Sequence, residues 1–268
     1  MTVDDQGRAR FLDEPPLAIA HRGGIGLPSN AGIENSVEAF RHAVELGIDY
    51  LETDVRASSD GEVFAFHDPD LRRVSARSGH SSAKFSSLSA AQVREAGLDG
   101  GAAIPTVAEL LAAFPDTRFN IDVKTTPAIA PTIRAIVGAA AQHRVLIASF
   151  SVLRSWRARR MLPSVATSAN PLEVIGLALG FRPLRGIARR NGVVAVQVPE
   201  FYRGYRLITP RFLKTAHAEG LQVHIWTVDD PDDMNRLLDM GVDGIITDRP
   251  DLLKKVLIER GQWRDGDR

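Results

Sequence analysis

The chain has 268 residues, of which 44% are hydrophobic and 25% charged, and it contains no cysteine. This composition is typical of a globular protein, and the length suits one large α/β domain or two small ones. Because 33 basic residues balance 33 acidic ones, no overall charge attracts nucleic acid or an anionic membrane. The absence of cysteine excludes disulfides and thiolate metal sites.

The two ends of the chain are predicted to be polar extensions, residues 1–16 and 261–268, on either side of one domain that spans residues 17–260. The first sixteen residues are polar and acidic and contain no apolar segment of the kind that a signal peptide needs. The longest apolar run, near 174–181, has about half of the roughly 20 residues that a membrane span requires. We therefore expect a cytoplasmic protein without a transmembrane segment.

The first predicted strand and helix flank a loop rich in polar residues. Residues 17–20 form an apolar run that stops at the loop His21–Gly24, which indicates a buried strand that ends at a polar site. Asn35 with Glu38 three residues later predicts a helix N-cap, and the helix is expected to end at Gly47.

The second predicted strand, residues 50–55, carries two carboxylates on one face. Glu52 and Asp54 alternate with Leu51, Thr53 and Val55, which lie on the other face, so the Cα atoms of the two acidic residues should lie about 6.6 Å apart. Carboxylates in this arrangement can converge on one divalent cation, which prefers hard oxygen ligands. A further short strand over 63–66 ends at His67.

Strands and helices alternate over the rest of the chain. Residues 71–103 form a loop-rich insertion with one short helix, and Asn120, Asp122 and Lys124 share one face of the strand that follows. The predicted strands are 118–124, 145–150, 165–168, 193–198, 222–228 and 244–247, and the predicted helices are 89–96, 105–114, 128–142, 152–161, 172–190, 210–219, 231–240 and 251–260.

This alternation implies parallel strands joined by helical crossovers, and about eight such units fit a closed (β/α)₈ barrel in a single domain. An open doubly wound sheet is the alternative, but the chain has no glycine-rich dinucleotide fingerprint. In a barrel the carboxyl ends of the strands share one rim. The polar residues at or near these ends are therefore expected to form a site: His21, Glu52, Asp54, His67, Asp122, Lys124 and Trp226.

The ordered motifs HRGG, ENS, GIDYLETDV, HDPDL and NIDVK, followed by HIWTVDD and GVDGIITDRP, resemble the glycerophosphodiester phosphodiesterase family over residues 17–256. The resemblance implies a TIM barrel that uses a divalent cation to hydrolyse glycerophosphodiesters to sn-glycerol 3-phosphate and an alcohol. The implied cation is Mg²⁺ or Ca²⁺, with Mn²⁺ as a further option.

The resemblance also implies a role for each matching residue. Glu52, Asp54 and Asp122 match the metal ligands, although many members have glutamate where Asp122 stands. Arg22 and Lys124 match phosphate-binding positions, and Trp226 matches an aromatic residue at the mouth. His21 and His67 match the acid/base pair.

Several interpretations stay open at this stage. His21 is expected to deprotonate the nucleophile and His67 to protonate the leaving alcohol, but the two roles can be exchanged. Glu34 can bind substrate or metal, or can simply favour the positive end of its helix. Trp226 on its pattern alone is a core residue.

The segment 172–190 is either a barrel helix with a solvated basic end or an interfacial lip that contacts a membrane peripherally. The alternative functions are lysophospholipase D-type hydrolysis, a metal-dependent isomerase or aldolase, and a barrel that binds metal or phosphate without catalysis. The sequence does not specify the oligomeric state, the leaving alcohol or the metal.

Overall fold

The computed structural model describes residues 11–180 and 192–264. The strands in these residues are β1 Leu17–His21, β2 Tyr50–Ala57, β3 Val63–Ala65, β4 Arg118–Val123, β5 Val145–Ala148, β6 Ala166–Ser168, β7 Val193–Val198, β8 Phe201–Tyr202, β9 Tyr205–Arg206, β10 Gln222–Ile225 and β11 Gly244–Thr247. The helices are α1 Val37–Glu45, α2 Ala90–Ala96, α3 Val107–Ala113, α4 Ile129–Gly138, α5 Val152–Met161, α6 Pro171–Leu179, α7 Pro210–Ala218, α8 Pro231–Asp239 and α9 Pro250–Glu259.

Eight of these strands form a closed parallel barrel. The order is β1, β2, β4, β5, β6, β7, β10 and β11, and β1 pairs in parallel with both β2 and β11, which closes the sheet. At least one helix lies between each pair of successive barrel strands. The predicted (β/α)₈ barrel is confirmed, and its strands direct their carboxyl ends to one rim.

The predicted insertion after the second barrel strand is also confirmed. The short strand β3 pairs antiparallel with β2, and the loop-rich segment that follows contains the expected helix α2. The insertion has its own apolar cluster, in which Phe66 stacks on Phe85 with ring centroids 4.7 Å apart. This packing fixes the path of the loop that begins at His67.

Residues 11–13 cover the amino-terminal end of the barrel. Phe11 and Leu12 are buried among inward-facing strand residues. The Tyr50 hydroxyl donates to the Phe11 carbonyl at 3.1 Å and accepts from the Asp13 amide at 2.8 Å. The part of the predicted N-terminal extension that comprises residues 1–10 lies outside the described residues, as do residues 265–268 of the predicted tail.

The N-cap prediction for α1 is wrong by one residue. Ser36 is the N-cap and accepts from the Ala39 amide at 3.0 Å. Asn35 has a φ of 60° and its Oδ1 accepts from the Thr53 hydroxyl at 2.8 Å. The Asn35 side chain therefore ties the α1 loop to β2, since a side chain committed to that contact does not cap the helix.

Three predicted elements end earlier than their apolar patterns indicate. The strand predicted over 222–228 ends at Ile225, because the Trp226 amide donates to β7 whereas the Val228 amide donates to β11. The helix predicted over 128–142 ends at Gly138, and the one predicted over 172–190 ends at Leu179, before Gly180 in a left-handed conformation. The predicted basic end of the latter, with Arg182, Arg185, Arg189 and Arg190, lies outside the described residues.

No helix in the described parts of the chain is long and apolar enough to cross a membrane.

Candidate active site

The predicted site residues lie at the carboxyl ends of neighbouring barrel strands. In the strand register His21 of β1 lies beside Glu52 of β2, and Asp54 of β2 lies beside Asp122 of β4. Lys124 follows β4 directly. Three adjacent strands therefore place an imidazole, three carboxylates and an ammonium group on one side of the rim.

The His21 imidazole lies between two carboxylates. Its Nδ1 is 2.6 Å from Asp248 Oδ1, and its Nε2 is 3.8 Å from Glu52 Oε2. Burial acts to lower the pKa of His21, but the Glu52 carboxylate and the hydrogen bond to Asp248 together raise it above its ordinary value. Because Nδ1 is committed to Asp248, Nε2 is the nitrogen available to the site.

Asp248 is held in place by the loop after β10. Asp229 Oδ1 accepts from the Asp248 amide at 2.8 Å and from the Thr247 hydroxyl at 2.9 Å. Asp229 therefore supports the carboxylate that orients His21.

His67, in the loop after β3, has a similar arrangement. Its Nδ1 is 2.6 Å from Asp68 Oδ1, and its backbone carbonyl accepts from Arg56 Nε at 2.8 Å. Burial lowers the pKa of His67 below its ordinary value, although the carboxylates of Asp54 and Asp68 partly oppose this effect. The neutral imidazole is thus favoured near neutral pH, with Nε2 free to exchange a proton.

Lys124 bridges two carboxylates. Its Nζ is 2.7 Å from Asp54 Oδ1 and 2.6 Å from Asp122 Oδ2. Burial acts to lower the pKa of Lys124, but the two carboxylates raise it above its ordinary value. Burial acts in the opposite direction on Asp54, whose pKa is nevertheless lowered by Lys124 and Arg22. The Lys124 ammonium group and the Asp54 carboxylate are therefore both charged at neutral pH.

Glu52 is a buried carboxyl group whose surroundings disfavour its ionised form. Burial and the neighbouring Asp54 raise the pKa of Glu52 to about 7, although His21, Arg22 and Lys124 act to lower it. Burial likewise raises the pKa of Asp122. An added positive charge nearby would favour the ionised form of both groups.

Arg22 and Glu34 are joined to the loop after His67 by a second arginine. Arg22 Nε lies 2.9 Å from Asp54 Oδ2, and Arg22 Nη1 donates to Glu34 Oε1 at 3.2 Å. Arg73 donates to both oxygens of Glu34, at 2.5 and 2.7 Å, and its Nε donates to Asp68 Oδ2 at 2.6 Å. Both oxygens of Glu34 are thus engaged by guanidinium groups.

Two aromatic side chains lie at the mouth. Trp226 is half-buried and packs edge-to-face on Phe150, with ring centroids 5.5 Å apart. Lys124 Nζ lies 5.6 Å from the centroid of the Phe150 ring. The aromatic pair therefore borders the charged cluster directly, which agrees with a position of Trp226 at the mouth.

All nine predicted site residues belong to one connected set of contacts. Sequence reasoning missed four of their partners: Asp68, Arg73, Phe150 and Asp248. Asp68 lies in the dipeptide HD at 67–68, and Asp248 lies in the sequence TDRP at 247–250. These two short motifs are the only local signals for the four partners. The contact of His21 with Asp248 joins residues 227 positions apart, so it needs the closed barrel.

The donor set fits a divalent cation, although the carboxylates are not arranged around a common point. Among residues 11–180 and 192–264, no three acidic or histidine side chains form a ready metal site, since the Lys124 ammonium lies between Asp54 and Asp122. Within the same residues no donor reaches the buried oxygens Asp122 Oδ1 and Asn120 Oδ1. Buried carboxylate and amide oxygens without donors are suitable ligands for a hard cation.

Comparison with known proteins identifies the family to which this arrangement belongs. Residues 21–252, which include every site residue described above, match the family model of the glycerophosphoryl diester phosphodiesterase family. The chain belongs to this family. The family and the enzyme class predicted from the motifs are thereby confirmed.

Relatives and solved structures of this family match nearly the whole chain. A relative from Mycobacterium tuberculosis, named "Probable glycerophosphodiester phosphodiesterase 2", is 46% identical over 253 residues, which cover 92% of each chain. A glycerophosphodiester phosphodiesterase structure from Parabacteroides distasonis is 23% identical with a TM-score of 0.74 and covers 93% of this chain and 99% of its own. An Oleispira antarctica phosphodiesterase, solved with the product sn-glycerol-3-phosphate, is 22% identical with a TM-score of 0.72 and covers 91% and 97%.

Proposed function

We propose that the chain is a metal-dependent phosphodiesterase that hydrolyses glycerophosphodiesters to sn-glycerol 3-phosphate and an alcohol. The observation that carries the proposal is the pair of imidazoles, His21 and His67, that border the buried ion-pair cluster of Arg22, Lys124 and their carboxylate partners. Each imidazole is fixed at Nδ1 by a carboxylate 2.6 Å away. Two oriented imidazoles beside cationic groups are what general acid/base attack on a phosphodiester requires.

Arg22 and Lys124 are the proposed phosphate-binding groups. Their side chains meet at Asp54, which lies 2.9 Å from Arg22 Nε and 2.7 Å from Lys124 Nζ. A phosphodiester is a monoanion that gains charge at its non-bridging oxygens in the transition state. Cationic groups fixed in advance in a partly buried site stabilise that charge without reorganisation.

Glu52, Asp54 and Asp122 are the proposed metal ligands, with Mg²⁺, Ca²⁺ or Mn²⁺ as the candidate ions. A bound divalent cation would supply further stabilisation of charge on the phosphate oxygens. The raised pKa values of Glu52 and Asp122 support this assignment, because carboxyl groups that resist ionisation alone are stabilised by a nearby cation.

His21 and His67 are proposed to divide the proton transfers. His21 Nε2 takes the proton of the attacking hydroxyl, which we assign to the glycerol 2-hydroxyl and which gives a cyclic phosphate. His67 Nε2 gives a proton to the departing alcohol. Water then opens the cyclic phosphate with the roles reversed: His67 takes a proton from the water and His21 returns its proton to the 2-oxygen, which gives sn-glycerol 3-phosphate. Asp248 and Asp68 hold the two rings in the required orientation and stabilise the imidazolium form of each.

Release of glycerol 3-phosphate from glycerophosphocholine tests the function. We expect the purified protein to lose turnover after chelation and to regain it when Mg²⁺, Ca²⁺ or Mn²⁺ is returned. The Asp122→Asn variant, which lacks one proposed ligand charge, should need a higher metal concentration for half-maximal activity. Product would be quantified enzymatically, with the choline released as an independent measure.

Two outcomes of this assay would contradict separate parts of the proposal. Turnover that is unchanged by thorough chelation would contradict the metal dependence alone. Absence of product with every metal would contradict glycerophosphodiester hydrolysis, and the same assay with lysophosphatidylcholine would then test lysophospholipase D-type hydrolysis.

A further inference from the structure

Arg73 occupies a position that connects the two sides of the site. It is in the insertion, outside the barrel strands, and its guanidinium group contacts both Glu34 and Asp68. Glu34 contacts Arg22, and Asp68 contacts His67. We propose that Arg73 is a positioning residue. By holding Glu34 and Asp68 together, it fixes the phosphate-binding Arg22 relative to the proton-transferring His67. This inference rests on the proposed function.

The contacts of Arg73 use the fork geometry that only arginine provides. Two terminal nitrogens bind the two oxygens of Glu34 at 2.5 and 2.7 Å, while Nε binds Asp68 at 2.6 Å. One planar group thus fixes the relative position of two carboxylates. A lysine could meet one carboxylate or the other, but it lacks the planar fork that fixes both.

The same contacts assign an indirect role to Glu34. Its side chain is almost completely buried, and Arg22 and Arg73 engage both of its oxygens. A carboxylate held in this way orients the Arg22 guanidinium toward the site and does not need to contact the substrate. Glu34 therefore acts through Arg22, just as Asp68 acts through His67.

Steady-state kinetics of four variants test the proposal. Glu34→Gln should mainly raise KM for glycerophosphocholine, because Arg22 binds the phosphate, whereas Asp68→Asn should mainly lower kcat. Arg73→Met should change both and lower kcat/KM by about 10–100-fold, as the loss of outer partners of functional groups commonly does. Arg73→Lys should recover part of that loss.

Arg72→Met is the matched control. Arg72 is adjacent in sequence and well exposed, and its Nε lies 3.7 Å from Asp70, so this variant should keep wild-type kinetics. In a double-mutant cycle, Arg73→Met added to Asp68→Asn should lower kcat by much less than it does alone, because both changes release the same contact.

The outcomes separate this proposal from the proposed function. Wild-type protein without turnover would contradict the function itself. Active wild-type protein with an Arg73→Met variant of normal kcat and KM would overturn the positioning role. Additive effects in the cycle, or a loss of thermal stability without the KM and kcat changes, would reduce Arg73 to a structural ion pair and would also overturn it.

A second feature, independent of the chemistry, is an exposed apolar surface beside the mouth. We define the rim face as Phe150, Leu153, Trp156, Leu172 and Ile175, whose side chains are between 49% and 65% exposed. Phe150 precedes α5 and borders Lys124, and the others lie in the mouth-side parts of α5 and α6. A cluster of exposed large apolar side chains is typical of an interaction surface.

The charges around the rim face favour an anionic partner. Residues 150–162 contain four arginines and no acidic residue, and Arg157 and Arg160 are exposed. The acidic residue of α6, Glu173, is buried against Arg159 at 2.6 and 2.9 Å, which also joins the two helices. Apolar and tryptophan side chains next to arginines are the combination that binds the interface of an anionic bilayer.

We propose that the rim face contacts a membrane surface that contains anionic lipids. A second copy of this chain is a poorer occupant, because a two-fold contact would place the same patch against itself. Arg157 and Arg160 would then face their own copies with no exposed carboxylate in either α5 or α6 to offset them. An anionic lipid surface provides the opposite charge and accepts the apolar side chains.

Cosedimentation with vesicles tests the rim face. Wild-type protein should bind vesicles of phosphatidylglycerol and phosphatidylcholine but not of phosphatidylcholine alone, and the bound fraction should fall with added salt. The double variant Leu153→Ser/Trp156→Ser should lose most of this binding and keep its turnover of glycerophosphocholine. Ile258→Ser, at a residue of α9 that is 52% exposed, is the matched control and should bind like wild type.

Three outcomes would overturn the membrane contact. The first is no binding of wild-type protein to anionic vesicles at low salt. The second is equal loss in the double variant and the Ile258→Ser control. The third is a dimer in sedimentation velocity that the double variant abolishes, which would assign the rim face to a second copy.

Discussion

Alanine at His67 is expected to lower kcat for glycerophosphocholine by about 10²–10⁴-fold, the range that general acid/base catalysis contributes. His21→Ala should cause a loss of similar size. Neither change should unfold the protein, because both rings lie at the rim and neither belongs to the apolar clusters of the barrel. Kinetics and thermal melting of both variants check this expectation.

The identity of the leaving group then separates the roles of the two histidines. A diester of glycerol phosphate with 4-nitrophenol releases a phenolate that needs no proton. If His67 is the acid, His67→Ala should retain much of the wild-type rate of 4-nitrophenolate release, while His21→Ala stays inactive on both substrates. The reverse pattern would exchange the roles, and near-normal activity of both variants on glycerophosphocholine would contradict the assignment of the pair.

The directions of the two pKa shifts make this comparison informative. The pKa of His21 is raised and that of His67 is lowered, so in the protein alone His21 holds a proton more firmly. The largest upward influence on the pKa of His21 comes from Glu52, which is also a proposed metal ligand, and Asp248 adds to it. A cation bound by Glu52 would oppose that influence, and the leaving-group experiment therefore tests the roles in the loaded enzyme.

The strand pattern was sufficient to predict the barrel and the residues on its rim. Alternation in β2 placed Glu52 and Asp54 on one face, and the parallel register brought Asp122 beside Asp54. The first is a consequence of local periodicity, which is encoded within a single element, and the second follows from the parallel pairing of two neighbouring strands. The order of the motifs along the chain then identified the family.

The partners of those residues were not predictable from local sequence. Arg73 lies 39 residues from Glu34, in a segment with weak patterning, and Asp248 lies at the other end of the barrel sequence. Such pairs depend on the path of loops, which is set by tertiary contacts and not by propensity. The N-cap of α1 was misplaced for the same reason, since Asn35 is bound to Thr53 of β2.

Lys124→Met is expected to abolish turnover and to lower the melting temperature. The substitution deletes a proposed phosphate contact and leaves Asp54 and Asp122 facing each other without the ammonium group that lies within 2.7 Å of both. Breaking a buried ion pair on one side typically costs roughly 3–5 kcal/mol. For a domain of this size that loss corresponds to a fall in Tm of about 10 °C.

Lys254→Met is the matched control, because the Lys254 ammonium donates to the Leu46 carbonyl at 2.8 Å. Removing that lysine leaves no buried carboxylate without a partner, so we expect a change in Tm of only a few degrees. A Lys124→Met protein with the Tm and the turnover of wild type would contradict the assigned role of the ion-pair cluster.

The pH and metal dependence of the Lys124→Met variant follow from the two carboxylates that remain. Lys124 acts to lower the pKa of both Asp54 and Asp122, so its loss raises both values in the folded protein. Consider a carboxyl group whose pKa is higher in the folded protein than in the unfolded chain. At a pH above the unfolded value the group destabilises the folded protein, because the unfolded chain ionises more readily. This destabilisation decreases as the pH falls. The difference in Tm between variant and wild type should therefore be smaller at pH 5 than at pH 8. Added Mg²⁺ should also raise the Tm of the variant more than that of wild type, since the cation can neutralise the pair that lysine no longer balances.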